Sequence, residues 1–117
     1  MADQKLTITA ADFDGTAGLT LSGEIDAKTA PELKTAIEAL ITAGSVRIVL
    51  DFTAISYISS AGIGVLNATL GAARAKGGDM ALAGVSKTVR DTLDVMYFTK
   101  KISVLGSVPT LTDSFSQ

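Results

Sequence analysis

Alternation comes first along this chain. In "KLTITA" Leu6, Ile8 and Ala10 share one face, "DFDGT" supplies an Asp14-Gly15 turn, and in "TAGLTLSG" Ala17, Leu19 and Leu21 share a face again. Period-two patterning on both sides of an Asp-Gly pair predicts a β-hairpin at a sheet edge. After "GEID" the period changes. Thr29 with Glu32 three residues on has the form of a capping box, Pro31 sits in the first turn, and Leu33, Ile37, Leu40 and Ile41 recur at helical spacing. "VRIVLDF" is different again: Val46, Ile48, Val49, Leu50 and Phe52 are nearly continuous. Such a run predicts a central strand with helices over both faces.

From Ser60 onward Ile63, Leu66, Leu70 and Ala73 trace a second helix that Gly77-Gly78 ends. "MALAGV" is a short strand, Val89, Leu93 and Met96 mark a third helix, "ISVLG" is a last strand, and "PTLTDSF" opens a terminal helix at Pro109. The expected order is β-β-α-β-α-β-α-β-α, an α/β domain whose later strands are joined by right-handed crossovers. At 117 residues the chain reads as a single domain, and a domain of that size buries roughly 60–70% of its unfolded surface.

Composition removes several kinds of chemistry. There is no cysteine and no histidine, so thiolate nucleophiles, disulfides, sulfur metal ligands and the commonest near-neutral general base are all missing. An enzyme is not expected, nor is a metal or a bound cofactor. The formal net charge is −2, and Lys and Arg are scattered, with only Lys100 and Lys101 adjacent. Nucleic-acid binding draws on a clustered basic face and is not expected. No apolar run approaches the ~18–20 residues that span a bilayer, and "MADQKLTITA" lacks the plan of a signal peptide. The expectation is a cytoplasmic monomer without membrane insertion.

"SYISSAGIGVL" carries the candidate chemistry. Ser59 and Ser60 lie where the loop after the central strand becomes the second helix. One of the two, Ser60 or Ser59, caps that helix, and unpaired N–H groups at a helix start also tolerate an added anion. Without a base to activate it, such a serine need not be a nucleophile of this protein; it can simply cap the helix, or be a substrate of another protein.

"GEIDAKTAPEL", followed by "VRIVLDFTAISYISSAGIGVL", resembles the STAS domain in the form found in bacterial anti-sigma factor antagonists. The likeness covers nearly the whole chain. It implies the STAS fold, a mixed four- to five-stranded sheet with an antiparallel edge and about four helices. It also implies a partner-switching role: the unphosphorylated protein binds an anti-sigma serine kinase of the GHKL ATPase type and frees a sigma factor or another output regulator. Phosphorylation ends that binding, and a serine phosphatase resets it. Matching Gly62 and Gly64 to the family's glycines puts Ser60 at the phosphorylated serine, with Ser59 where the family has an Asp and Ala61 where it has a Ser or Thr. Ser59, Ala61, Gly62 and Gly64, with Glu24 and Asp26 of "GEID", are then the partner-binding candidates, Asp26 matching an acid that lies near the phosphorylated serine. "MYFTKK" stands where the family has a Thr-Gly-Leu-like turn. A second role open to the same fold is an accessory subunit docked on a membrane transport ATPase. Asp51 has the look of a response-regulator phosphoacceptor at a strand end, but that fold needs an acidic pair after its first strand, where this chain has a hairpin.

Overall fold

The computed structural model describes residues 5–106. They form β1 (Thr7–Phe13), β2 (Thr16–Ile25), α1 (Ala30–Thr42), β3 (Arg47–Ile58), α2 (Ser60–Ala75), β4 (Asp79–Ala83), α3 (Lys87–Val95), a 3-10 turn (Phe98–Lys100) and β5 (Ser103–Leu105). The terminal helix expected at Pro109 falls outside the described residues. The hairpin is as expected. Asp14 and Gly15 both take positive φ, 54° and 92°, as a two-residue type I′ turn requires, and the Asp12 carboxylate accepts the Gly15 N–H at 2.8 Å. The register then sets Ile8 opposite Leu21 and Ala10 opposite Leu19.

The five strands lie in the order β1-β2-β3-β4-β5, with β1 antiparallel to β2 and all later pairs parallel. β3 is central, as its apolar run predicts. Each crossover moves one strand in the same direction, and right-handed crossovers that never reverse must all pass over the same face. The core shows this one-sidedness. Leu19, Leu21, Ile48, Leu50, Phe52, Met80 and Leu82 share a cluster with Leu33 and Ile37 of α1, Leu66 and Leu70 of α2, and Val89 and Leu93 of α3. The alternate strand residues Val49, Ala81 and Ala83 are buried but stand outside that cluster.

Helices were expected on both faces of β3; among the described residues α1, α2 and α3 all cover one face. Val49 belongs to the other, between Gly18 and Ala81 in the ladder, with the Phe13 ring close over Gly18. Strictly alternating contacts thus produced an apolar run without alternation. The third helix is also shorter than its pattern, because Met96 is its half-exposed C-cap rather than part of the buried stripe.

β3 is longer than the run that announces it. Asp51 is expected at its end, yet the strand continues for seven residues to Ile58. The extension pairs with β2 alone through two register shifts, Thr20 to Ser22 against Asp51 to Ala54 and Gly23 to Glu24 against Ile55 to Tyr57. Each shift inserts one extra residue in β3 and bends it, carrying Ile55 and Ile58 back to the core while Ser56 and Tyr57 stay exposed. The Asp51 carboxylate is occupied locally, accepting the Thr53 N–H at 2.9 Å and the Thr53 hydroxyl at 2.6 Å.

Candidate functional site

Because β2 to β5 are parallel, the starts of all three helices gather at one pole of the sheet, each after the carboxyl end of a strand. Two of those turns are joined directly: the Ser59 N–H donates to the Ile25 carbonyl at 2.8 Å. Asp26 and Ser60, one residue beyond each partner, are thereby held in adjacent turns.

The α2 turn separates the two serines. Ser59 is the N-cap, in extended backbone at φ −96° and ψ 173°, and its Oγ accepts the Gly62 N–H at 3.3 Å. It is half-buried. Ser60 is the first helical residue and is exposed, and among the described residues its hydroxyl has no hydrogen-bond partner. The open choice between the two as cap is settled for Ser59. Ala61 is exposed as well.

The two glycines have different causes. A Cβ on Gly62 would lie 2.6 Å from Ile25 Cγ2 and 2.8 Å from Ile58 Cγ1. Gly62 is buried and lets α2 sit close on the ends of β2 and β3, so it belongs to the core side of the helix. Gly64 is exposed, with nothing within 4 Å of the place a Cβ would take. Internal packing does not require it, although glycine in a helix interior costs about 1 kcal/mol relative to alanine.

The α1 turn departs from the capping-box expectation. Thr29 occupies the N-cap position but in helical backbone, and its side chain makes no cap bond. Its Oγ1 instead accepts the Asp26 N–H at 2.9 Å and faces two acceptors, the Glu24 carbonyl at 2.9 Å and Asp26 Oδ1 at 3.2 Å. Asp26 Oδ1 also takes the Lys28 and Thr29 N–H groups at 2.9 and 3.0 Å, and the Ala30 N–H closes on the Asp26 carbonyl at 2.8 Å. The carboxylate three residues upstream outcompetes the Thr-to-Glu32 arrangement because it ties several loop donors at once.

The Thr29 N–H holds the Asp26 carboxyl below its ordinary range, with burial opposing and the Lys28 N–H, the Thr29 hydroxyl and the Lys28 charge acting in the same direction as the first. Glu24 contributes its backbone carbonyl to this turn and stands opposite Tyr57 in the ladder. Sequence reasoning missed Tyr57, a 47% exposed aromatic two residues before Ser59; an aromatic in an extended run gives no sign of which side it faces. The pole is thus polar and small at its centre. Among the described residues no three His, Cys, Asp or Glu side chains converge as metal ligands, and no helix is long and apolar enough to cross a membrane.

The family model of the STAS domain matches residues 7–113: the chain belongs to the STAS domain family. It is 37% identical over 68 residues to the anti-sigma-F factor antagonist RsfB of Mycobacterium tuberculosis, a match covering 58% of this chain and 56% of the relative. The chain thus spans just over half the length of that curated relative. Its fold superposes with a TM-score of 0.79 on an anti-sigma factor antagonist from Mycobacterium paratuberculosis, at 28% identity and with 94% of this chain and 91% of the other covered. It shares a fold with the phosphorylated form of the Bacillus cell fate determinant SpoIIAA, at a TM-score of 0.64, 20% identity, and 84% and 90% coverage.

Proposed function

We propose that this protein is an anti-sigma factor antagonist of a partner-switching pathway. Unphosphorylated, it binds an anti-sigma serine kinase of the GHKL ATPase type, freeing a sigma factor or another output regulator. Phosphorylation of Ser60 ends that binding, and a serine phosphatase restores it. The observation that carries the reading is the division of labour between the serines: Ser59 is used up as the helix cap, while Ser60 offers an unengaged hydroxyl at the exposed start of α2.

The physics of the switch is local. A phosphoester adds a charge of about −1.5 to −2, and the free N–H groups and dipole of the first turn favour a nearby anion by about 0.3–1 kcal/mol, so the fold accommodates the modification. A partner packed against Ala61 and Gly64 does not, since it meets a bulky dianion in the middle of its contact. A loss of about 1.4 kcal/mol already weakens binding tenfold. Asp26, one residue beyond Ile25, adds a second negative group beside the modified serine. A titration of the purified anti-sigma kinase with the protein tests this: Ser60→Ala binds as wild type does, and Ser60→Asp binds at least about tenfold more weakly. Equal binding of the two variants overturns the reading.

A further inference from the structure

At the opposite end of α2 the molecule carries a feature that the Ser60 switch does not use. The last turn of α3 ends in three consecutive exposed apolar residues: Val95 at 75%, Met96 at 49% and Tyr97 at 70% exposure. Tyr97 follows the C-cap with φ 58° and ψ 19°, the left-handed conformation that helix ends normally give to glycine. An aromatic there is strained, because its Cβ crowds the following carbonyl, and its side chain, mostly in solvent, returns little packing to offset this.

The surroundings are basic. Lys100 and Lys101 follow in the next turn, both exposed, and among the described residues neither pairs with a carboxylate. Asp94, the one carboxylate of this stretch, accepts the Thr99 hydroxyl at 2.6 Å. Arg74, near the end of α2, anchors the turn by donating to the Lys101 carbonyl at 2.7 Å while pairing with Asp79 at 3.0 Å. An exposed Tyr and Met with two exposed lysines three to five residues on has the composition of a protein interface, in a chain whose net charge is −2.

We infer that Val95, Met96 and Tyr97, with Lys100 and Lys101, form a second docking surface for an acidic, amphipathic helical segment of a partner protein. Three apolar side chains are a shallow footprint for a lipid surface, whereas they match one face of two helical turns, and the lysines complement carboxylates flanking that face. Ser60 and Arg74 are fourteen residues apart on α2, about 21 Å along the helix. A partner held here is thus out of reach of the phosphoryl group and stays bound in both states of the switch.

The test uses the full chain labelled with nitrogen-15 and a synthetic amphipathic helical peptide with leucines on one face and glutamates on the other. The expected result is amide shifts centred on residues 95–101, weakened by salt, absent with a peptide carrying lysine for every glutamate, and unchanged in Ser60→Asp. Tyr97→Gly binds the peptide at least about tenfold more weakly, while its melting temperature holds or rises by up to about 4 °C as the strain is relieved. A fall in melting temperature makes Tyr97 a packing residue and overturns the proposal. So do shifts that persist in Tyr97→Gly, no shifts at this turn, or binding of phosphatidylserine-containing vesicles with none of the peptide.

Discussion

The starts of α1 and α2 are neighbours at one pole and solve the same problem in opposite ways. Both must satisfy the free N–H groups of a first turn. At α2 the residue in the cap position does this with its own side chain, Ser59 reaching Gly62 N. At α1 the residue in the cap position turns its hydroxyl away, into the loop behind it, and Asp26 takes the Lys28 and Thr29 N–H groups just before the helix on its carboxylate and the Ala30 N–H, the first of the helix, on its carbonyl. The α1 turn is therefore a braced platform. The α2 turn needs only its cap and leaves the next residue, Ser60, with nothing to do inside the fold. A modification there costs the structure little, whereas a change in the braced turn is felt through several bonds.

The largest expected effect follows from that asymmetry. Thr29→Val keeps the shape of a buried side chain but strands the Asp26 N–H and the Glu24 carbonyl, and should destabilise the protein by about 1–3 kcal/mol in urea unfolding. Ser59→Ala removes one cap bond and should cost about 1 kcal/mol. Ser60→Ala should lie within about 0.5 kcal/mol of wild type. If Ser59→Ala and Ser60→Ala were equally destabilising, the assignment of the cap to Ser59 alone would fail.

The glycines sharpen the same contrast within one helix. Gly62→Ala drives a methyl into Ile25 and Ile58 and should cost about 1–3 kcal/mol. Gly64→Ala meets open space and should stabilise the protein by up to about 1 kcal/mol. A Gly64→Ala variant that is more stable yet binds the kinase less well would place that glycine in the contact.

The smallest effect is on acid stability. The Asp26 carboxyl titrates below its ordinary range in the folded protein, so folding favours its ionised form. The resulting stability is present above the unfolded-state value near about 4 and is lost as pH falls through the lower folded value. Asp26→Asn keeps an Oδ1 acceptor for the turn but cannot ionise. Its thermal stability should therefore fall less steeply than that of wild type below about pH 4, with a normal circular dichroism spectrum at pH 7. Identical acid limbs would remove Asp26 from this linkage.

What was legible in the sequence tracks how locally each feature is determined. The hairpin could be read because Asp14-Gly15 and the flanking alternation suffice for it, and the buried stripe of α2 because Ile63, Leu66, Leu70 and Ala73 repeat at one period. The start of α1 misled because Thr29 and Glu32 satisfy a local pattern, while a carboxylate three residues earlier competes for the same groups. The described helices all lie on one side of the sheet, and this was hidden because a continuous apolar run has the same appearance whether or not Val49 faces them. The far half of β3 was hidden since Ala54, Ile55, Tyr57 and Ile58 are strand residues through pairing with β2 alone. At the candidate site, the position of Ser60 was legible, and the engagement of Ser59 that sets Ser60 apart was a matter of geometry.

The central claim is that Ser60 is the residue on which the protein is switched, and phosphopeptide mapping after incubation with its anti-sigma kinase and ATP tests it most directly. The account predicts label on Ser60 in wild type and in Ser59→Ala, and none in Ser60→Ala. Label that survives in Ser60→Ala and disappears in Ser59→Ala would contradict it.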